Sequence, residues 1–449
     1  MRSLIFIAVS LCLSLATANS SPLKLAKRSS SLPQKRASLV PRSSFDSETE
    51  SILSLTRAKG TSVSSGYLNR LRLDKSNHTV QLNDTQLGEI FISAISFGNQ
   101  SFDAIVDTGS SDTWLVEAGF TCVDPETNAT ITEAECYFGA YYYPDSTVQF
   151  ITDENFNITY ADGEYLNGYM AYETVTLANI TVTNQEVGIV NLAGWNGDGI
   201  SSGLIGLAYP DLTSAYAGTN ATADSYDEAL TYDPIFTTMY KRNLTAPYFS
   251  LALSRDESQS GNGGLMAIGG IPCNIPGGIQ SPFTSTPIET LRTDFRKGSN
   301  YYYYTINPYG FSFTTNKTLD PTSLNQTFIV DSGTTLNYIP TTSAATFNSL
   351  FSPPAFLDEG YYYVSCNATA PSFNVYITSN TSAYYPTNPY DLILDIDEGD
   401  ICLSGVQDGG EPGDGNVFIL GDVFLKNVLA VFDVGNEEMR FAKREFYDS

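Results

Sequence analysis

The chain of 449 residues carries 49 acidic side chains against 23 basic ones, a formal net charge of −26, and a single histidine, His78. Nothing in that balance points to nucleic acid, whose binding needs basic patches. No Asp/Glu spacing forms the compact oxygen-ligand loop of a hard-metal site, so neither a metal nor another cofactor is expected, and the length suffices for one large core or two.

The charge is segregated along the chain. Residues 19–80 hold eleven Lys/Arg and four Asp/Glu, whereas residues 81–449 hold eleven Lys/Arg and forty-five Asp/Glu. Self-repulsion of that size destabilises a compact body near neutral pH, and protonating carboxylates relieves it. The body therefore reads as built for acid.

In chain order, the first element is a secretory signal over residues 1–18. Arg2 precedes an apolar run from Leu4 to Ala16, and Ala16-Thr17-Ala18 forms a small-x-small cleavage site before Asn19. The run is too short to cross a bilayer, and the terminal FAKREFYDS lacks the apolar tail of a lipid-anchor signal. The expectation is a monomer without a membrane anchor, secreted or delivered to an acidic vacuole-like compartment.

Residues 19–79 form a basic propeptide, with dibasic processing candidates at Lys27-Arg28 and Lys35-Arg36. A basic segment ahead of an acidic body can act as an electrostatic latch that loosens as carboxylates protonate. It is expected to be shed up to roughly residues 75–80 on acidification, as carboxylates protonate, or after a dibasic-cutting protease acts.

From residue 77 onward, twelve N-x-Ser/Thr sequons indicate a glycosylated surface: Asn77, Asn83, Asn99, Asn128, Asn157, Asn179, Asn220, Asn243, Asn316, Asn325, Asn367 and Asn380. With Cys12 lost in the signal, Cys122–Cys136 and Cys366–Cys402 are the expected local disulfides. Cys273 is left as a buried, inert thiol.

Beyond Gln81 the texture is all-β, with short Val, Ile, Thr, Tyr and Phe runs punctuated by Gly, Asn, Asp and Pro, and with SAATFNSLF among the few helical candidates. Two stretches stand out. IVDTGSSDTW ends an apolar strand in Asp107-Thr108-Gly109, and FIVDSGTTLNY ends another in Asp331-Ser332-Gly333. Each is followed by a second shared element: GLIGLAYP carries Gly206, and FILGDVFL carries Gly421. Two motifs repeated in the same order at similar spacing imply duplicated lobes, set here at 80–275 and 276–449, rather than a solenoid.

At these residues the chain resembles the pepsin family of aspartic endopeptidases, of the secreted fungal type. VDTGSSDTW, ITYADG, GLIGLAYP, VDSGTT and ILGDVFL…VFD fall in family order from about Gln81 to the C-terminus. The resemblance implies an all-β, bilobal pepsin-like fold with the active-site cleft between the lobes.

It also implies a mechanism. Two nearby carboxyls cannot both ionise readily, so one acts as base towards water and the other as acid towards the scissile carbonyl. Asp107 and Asp331 are assigned as that dyad. Thr108 and Ser332 match hydroxyls that cross-link the two loops, Gly109 and Gly333 permit the sharp turns, and Ser110 and Thr334 match hydroxyls that bond the outer carboxylate oxygens. NITYADGEYLNGYMAY reads as a hairpin with an Asp162-Gly163 turn. By resemblance it is the substrate-binding flap, with Tyr160 able to bond Trp114 and Asp162 placed to accept a basic side chain. Asp422 and Asp433 look structural. The implied partners are polypeptide substrates, the chain's own propeptide as an intramolecular inhibitor, and pepstatin-like inhibitors. A catalytically inactive homologue serving as a binding protein is the alternative, and a glycan- or metal-binding β-protein ranks below it.

Overall fold

The computed structural model describes residues 38–40, 51–60, 88–125, 127–160, 163–225, 228–255, 261–272, 275, 277–290, 301–314, 318–320, 326–380, 382–412 and 418–444. The signal, both dibasic pairs, Asp162, Cys273 and the sequons at Asn77, Asn83, Asn316 and Asn325 lie outside the described residues.

The protein is mostly β. A sixteen-stranded sheet runs through both halves, joined by smaller sheets of five, three and four strands. In the N-terminal half, Gln100–Asp107 lies parallel to Gly203–Gly206, with Asp107 level with Gly206. Gly203–Gly206 in turn lies antiparallel to Thr113–Val123. The later segment thus threads between the two arms of the loop that bears Asp107.

The C-terminal half repeats the device. Phe328–Val330 runs parallel to Phe418–Leu420, which meets Asn337–Ile339 in the antiparallel sense. Space at both crossings explains the repeated glycines. A Cβ on Gly206 would lie 2.3 Å from the Ser111 carbonyl carbon, and one on Gly421 would lie 2.3 Å from the Thr334 oxygen.

The halves meet on a shared base. Tyr248–Leu253 pairs with both Gly261–Ile268 and Val428–Asp433, so sheet hydrogen bonds link the two repeats. Phe249 and Phe432 stack at 4.6 Å, and Tyr304 lies edge-on to Phe432 at 4.8 Å and donates its hydroxyl proton to the Leu207 oxygen. Burial of such aromatic area supplies much of a core's stability. The tyrosine runs around Tyr142, Tyr303 and Tyr361 are packing residues in part, since these three are buried while Tyr143 is exposed.

Part of the basic N-terminal segment belongs to this sheet. Ile52–Gly60 inserts between Gly261–Ile268 and Gly88–Phe97, burying Leu55 and Arg57, and Ser38–Val40 pairs with Phe283–Pro287. The helix expected around SAATFNSLF is present as Thr341–Ser349. Two further short helices, Ile235–Lys241 and Asp422–Leu425, were not foreseen.

Both expected disulfides form, Cys122–Cys136 and Cys366–Cys402, with Cα separations of 5.9 and 5.0 Å. Seven of the eight described sequon asparagines are exposed, and Asn157 is half-buried. The Asn157 amide donates to the Ala221 oxygen at 3.0 Å and to Asp224 Oδ2 at 2.9 Å, so a glycan there would displace one of these bonds.

Candidate active site

Asp107 closes its strand and Asp331 follows its own, so each parallel pairing delivers one carboxyl to the same place. Both are buried, at 2% and 0% exposure. Gly109 lies against the partner acid: a Cβ there would be 2.5 Å from Cγ and both oxygens of Asp331. The two carboxyls lie close enough to shift one another. Each also has the same local cradle. The Gly109 N–H donates to Asp107 Oδ1 at 2.6 Å, and the Gly333 N–H donates to Asp331 Oδ1 at 2.9 Å. The Ser110 hydroxyl donates to Asp107 Oδ2, and the Thr334 hydroxyl to Asp331 Oδ2 at 2.8 Å.

The loops beneath are cross-linked by four hydrogen bonds. Thr108 Oγ1 donates to the Val330 oxygen at 3.1 Å and accepts from the Ser332 N–H at 2.9 Å. Reciprocally, Ser332 Oγ donates to the Val106 oxygen at 2.9 Å and accepts from the Thr108 N–H at 3.2 Å. Serine at one of the two positions therefore keeps the grip, because only the hydroxyl is needed. Each such bond contributes about 1 kcal/mol net.

The electrostatics follow from burial. Desolvation, then the negative charge of Asp331, pushes Asp107 well above the usual carboxylate range. Burial also raises Asp331, but bonds from Thr334 and Gly333 pull back in the other direction. Two raised, adjacent carboxyls give up their protons one at a time, so over the intervening pH range the pair holds a single proton between them.

The hairpin expected as a flap is formed by Gln149–Thr159 and Tyr165–Leu177, with Thr159 opposite Tyr165 and Gly163 at φ +98° in the turn. Tyr160 is buried, and Trp114 Nε1 donates to its hydroxyl at 2.8 Å. Asp433 is held by Arg440 at 2.9 Å and by the Asn436 amide, a structural clamp. Asp422, buried, opens the helix Asp422–Leu425.

Several contributors escaped the sequence reading. Trp195 and Phe138 complete an aromatic wall around Trp114 and Tyr160, Trp195 lying 5.7 Å from the Tyr160 ring. Glu164, at the foot of the flap turn, is 2% exposed. Asp112, inside the first motif, is fully buried; its Oδ1 accepts from Tyr232 OH at 2.6 Å and Ser214 N at 3.0 Å, while its Oδ2 has no partner among the described residues. A charged residue within an otherwise hydroxyl-rich motif was the available signal for Asp112. Among the described residues no cluster of His, Cys, Asp or Glu is arranged to hold a metal, and no helix is long and apolar enough to cross a membrane.

Two threaded loops that bring a mirrored pair of acids together define the class of bilobal aspartic proteases. Residues 90–444 match the family described as eukaryotic aspartyl protease, and the chain belongs to that family. It is 43% identical over 360 residues to a Probable aspartic-type endopeptidase of Aspergillus fumigatus, covering 78% of each chain. It is 26% identical over 399 residues to the acid protease of Saccharomycopsis fibuligera, covering 87% of this chain and 90% of that one. The crystal structure of an aspartic proteinase from Irpex lacteus shares the fold, with a TM-score of 0.60 at 19% identity, over 87% of this chain and 98% of the other. The protein is thus an aspartic-type endopeptidase.

Proposed function

We propose that the protein is a secreted endopeptidase working at acidic pH, with Asp107 and Asp331 as its catalytic pair. The observation that carries this reading is the mirrored, adjacent pair of buried carboxyls, each with one glycine N–H and one hydroxyl on its oxygens. The ionised member of the pair takes a proton from a water molecule as that water attacks the scissile carbonyl carbon. The protonated member gives its proton to the carbonyl oxygen, forming a neutral diol whose collapse breaks the C–N bond and returns a proton to the leaving amine. The preorganised donors cost no rearrangement during reaction. Tyr160 closes the flap over the peptide.

The pair works while it holds one proton. Activity falls as pH rises through the upper pKa of the pair, when both groups ionise, and as pH falls through its lower one, when neither is charged. The excess negative charge of residues 81–449 favours the same range.

The basic N-terminal segment is read as a propeptide and the chain as a zymogen, released outside the cell or into an acidic compartment, with glycans on the exposed sequons. Shedding residues up to roughly 75–80 by carboxylate-triggered release would withdraw the strand Ile52–Gly60 from the sheet. Cleavage after Lys35-Arg36 would leave it in place. N-terminal sequencing of the mature form separates the two.

The test of the central reading is cleavage of denatured haemoglobin across acidic pH values, with and without pepstatin. Pepstatin-sensitive cleavage is expected, and Asp107→Asn and Asp331→Asn should each abolish it in protein that still folds. Substantial turnover by either variant overturns the dyad, and no cleavage at any acidic pH favours the inactive binding homologue.

A further inference from the structure

The chain has only two tryptophans, Trp114 and Trp195, and both stand against the flap tyrosine. Trp114 holds the Tyr160 hydroxyl, and Trp195 lies edge-on to both rings, 5.7 Å from Tyr160 and 5.4 Å from Trp114. Phe138 stacks on the other side of Trp195 at 5.9 Å. Trp195 itself lies just beyond its strand, since the ladder with the flap ends at Tyr165 opposite Gly194. The next residue, Asn196, is tied by a side chain: its N–H donates to Glu164 Oε1 at 2.8 Å.

Glu164 also closes the flap turn with its backbone. The Tyr160 N–H donates to the Glu164 oxygen at 2.7 Å, and the Gly163 N–H donates to the Tyr160 oxygen at 3.2 Å. One residue therefore touches both sides of the aromatic wall, Tyr160 by its carbonyl and the Trp195-Asn196 segment by its carboxyl. Its side chain is 2% exposed, so little water competes for the bond.

We infer that Glu164 is a positioning residue that fixes the height of Tyr160 over the cleft by stapling the Trp195-Asn196 segment to the foot of the flap. The inference rests on the reading of Tyr160 as the residue that closes over substrate. Without the carboxyl, the Asn196 N–H loses this bond, and the Trp195 ring against Tyr160 is held less firmly.

The experiment compares Glu164→Met, which keeps length but removes the acceptor, with Glu164→Gln, which keeps an oxygen, both in the full chain. Glu164→Met should lower kcat/KM for a long peptide by about tenfold, mostly through KM, the size expected for one lost buried hydrogen bond. The pH profile, set by the dyad, should not move. Tryptophan emission should shift to the red with greater acrylamide quenching, because both fluorophores flank Tyr160. Glu164→Gln should recover kcat/KM to within about twofold, since a neutral acceptor still serves the N–H.

Unchanged kinetics and emission in Glu164→Met, or equal impairment in Glu164→Gln, overturns the assignment. Should Glu164→Met fail to fold, amide exchange of Asn196 in the unaltered protein decides: protection supports the staple and exchange at an open-loop rate refutes it. Repeating the emission measurements in an Asp107→Asn background reads the flap without any turnover. A failure of the protease reading therefore leaves the Glu164 result interpretable.

Discussion

Asp112→Asn isolates the cost of a single buried charge. Burial raises Asp112 from its ordinary 3.8 to about 6, offset in part by bonds from Tyr232 and Ser214. No cation meets it among the groups that shift it, and Glu186, half-buried and itself raised to about 7, adds a like charge nearby. A carboxyl whose folded pKa is raised stabilises the fold fully below its unfolded value and loses that contribution as pH climbs to the folded value. For Asp112 the loss falls between 3.8 and about 6. Two units at about 1.4 kcal/mol each come to about 3 kcal/mol. Asparagine keeps an oxygen for Tyr232 and Ser214 and carries no charge. Measured by urea unfolding in the Asp107→Asn background, which also prevents self-digestion, Asp112→Asn should match its parent at pH 4 to within about 1 kcal/mol. At pH 7 it should exceed the parent by about 2–3 kcal/mol. If both proteins lose the same stability between pH 4 and pH 7, the burial argument for Asp112 is wrong.

Two other substitutions probe the dyad's support. Gly109→Ala would place a methyl 2.5 Å from the Asp331 carboxyl atoms, and displacing that group by about 1 Å should lower kcat by about a hundredfold; activity near the parental level would show that the loop can yield. Thr108→Val and Ser332→Ala should each destabilise by about 1–3 kcal/mol. Because the two pairs of bonds clamp the same two loops, the double variant should depart from additivity by at least about 0.5 kcal/mol, and strict additivity in denaturant unfolding would mean that the two loops are not coupled.

The relation between sequence and structure differs from element to element. The hairpin of Gln149–Thr159 and Tyr165–Leu177 was legible because an Asp-Gly turn between alternating strands is a local signal. The helix Thr341–Ser349 was legible within SAATFNSLF, whereas Ile235–Lys241, seven residues ahead of a Lys-Arg-Asn stretch, was too short to show a clear period. Ile52–Gly60 was read only as part of a basic, Ser-rich segment. Its place in the central sheet depends on Met266 and its neighbours, more than two hundred positions away.

The acids were legible in the sequence as a motif repeated in both halves, the glycines and hydroxyls around them through the resemblance to the pepsin family, and the cysteine pairs through their local spacing. Folding decided the rest: which hydroxyl reaches which carbonyl across the two loops, that Asp112 is shut away from water, and that Glu164 meets Asn196. Those facts depend on desolvation and on distances between remote segments, and neither quantity exists until the chain has packed.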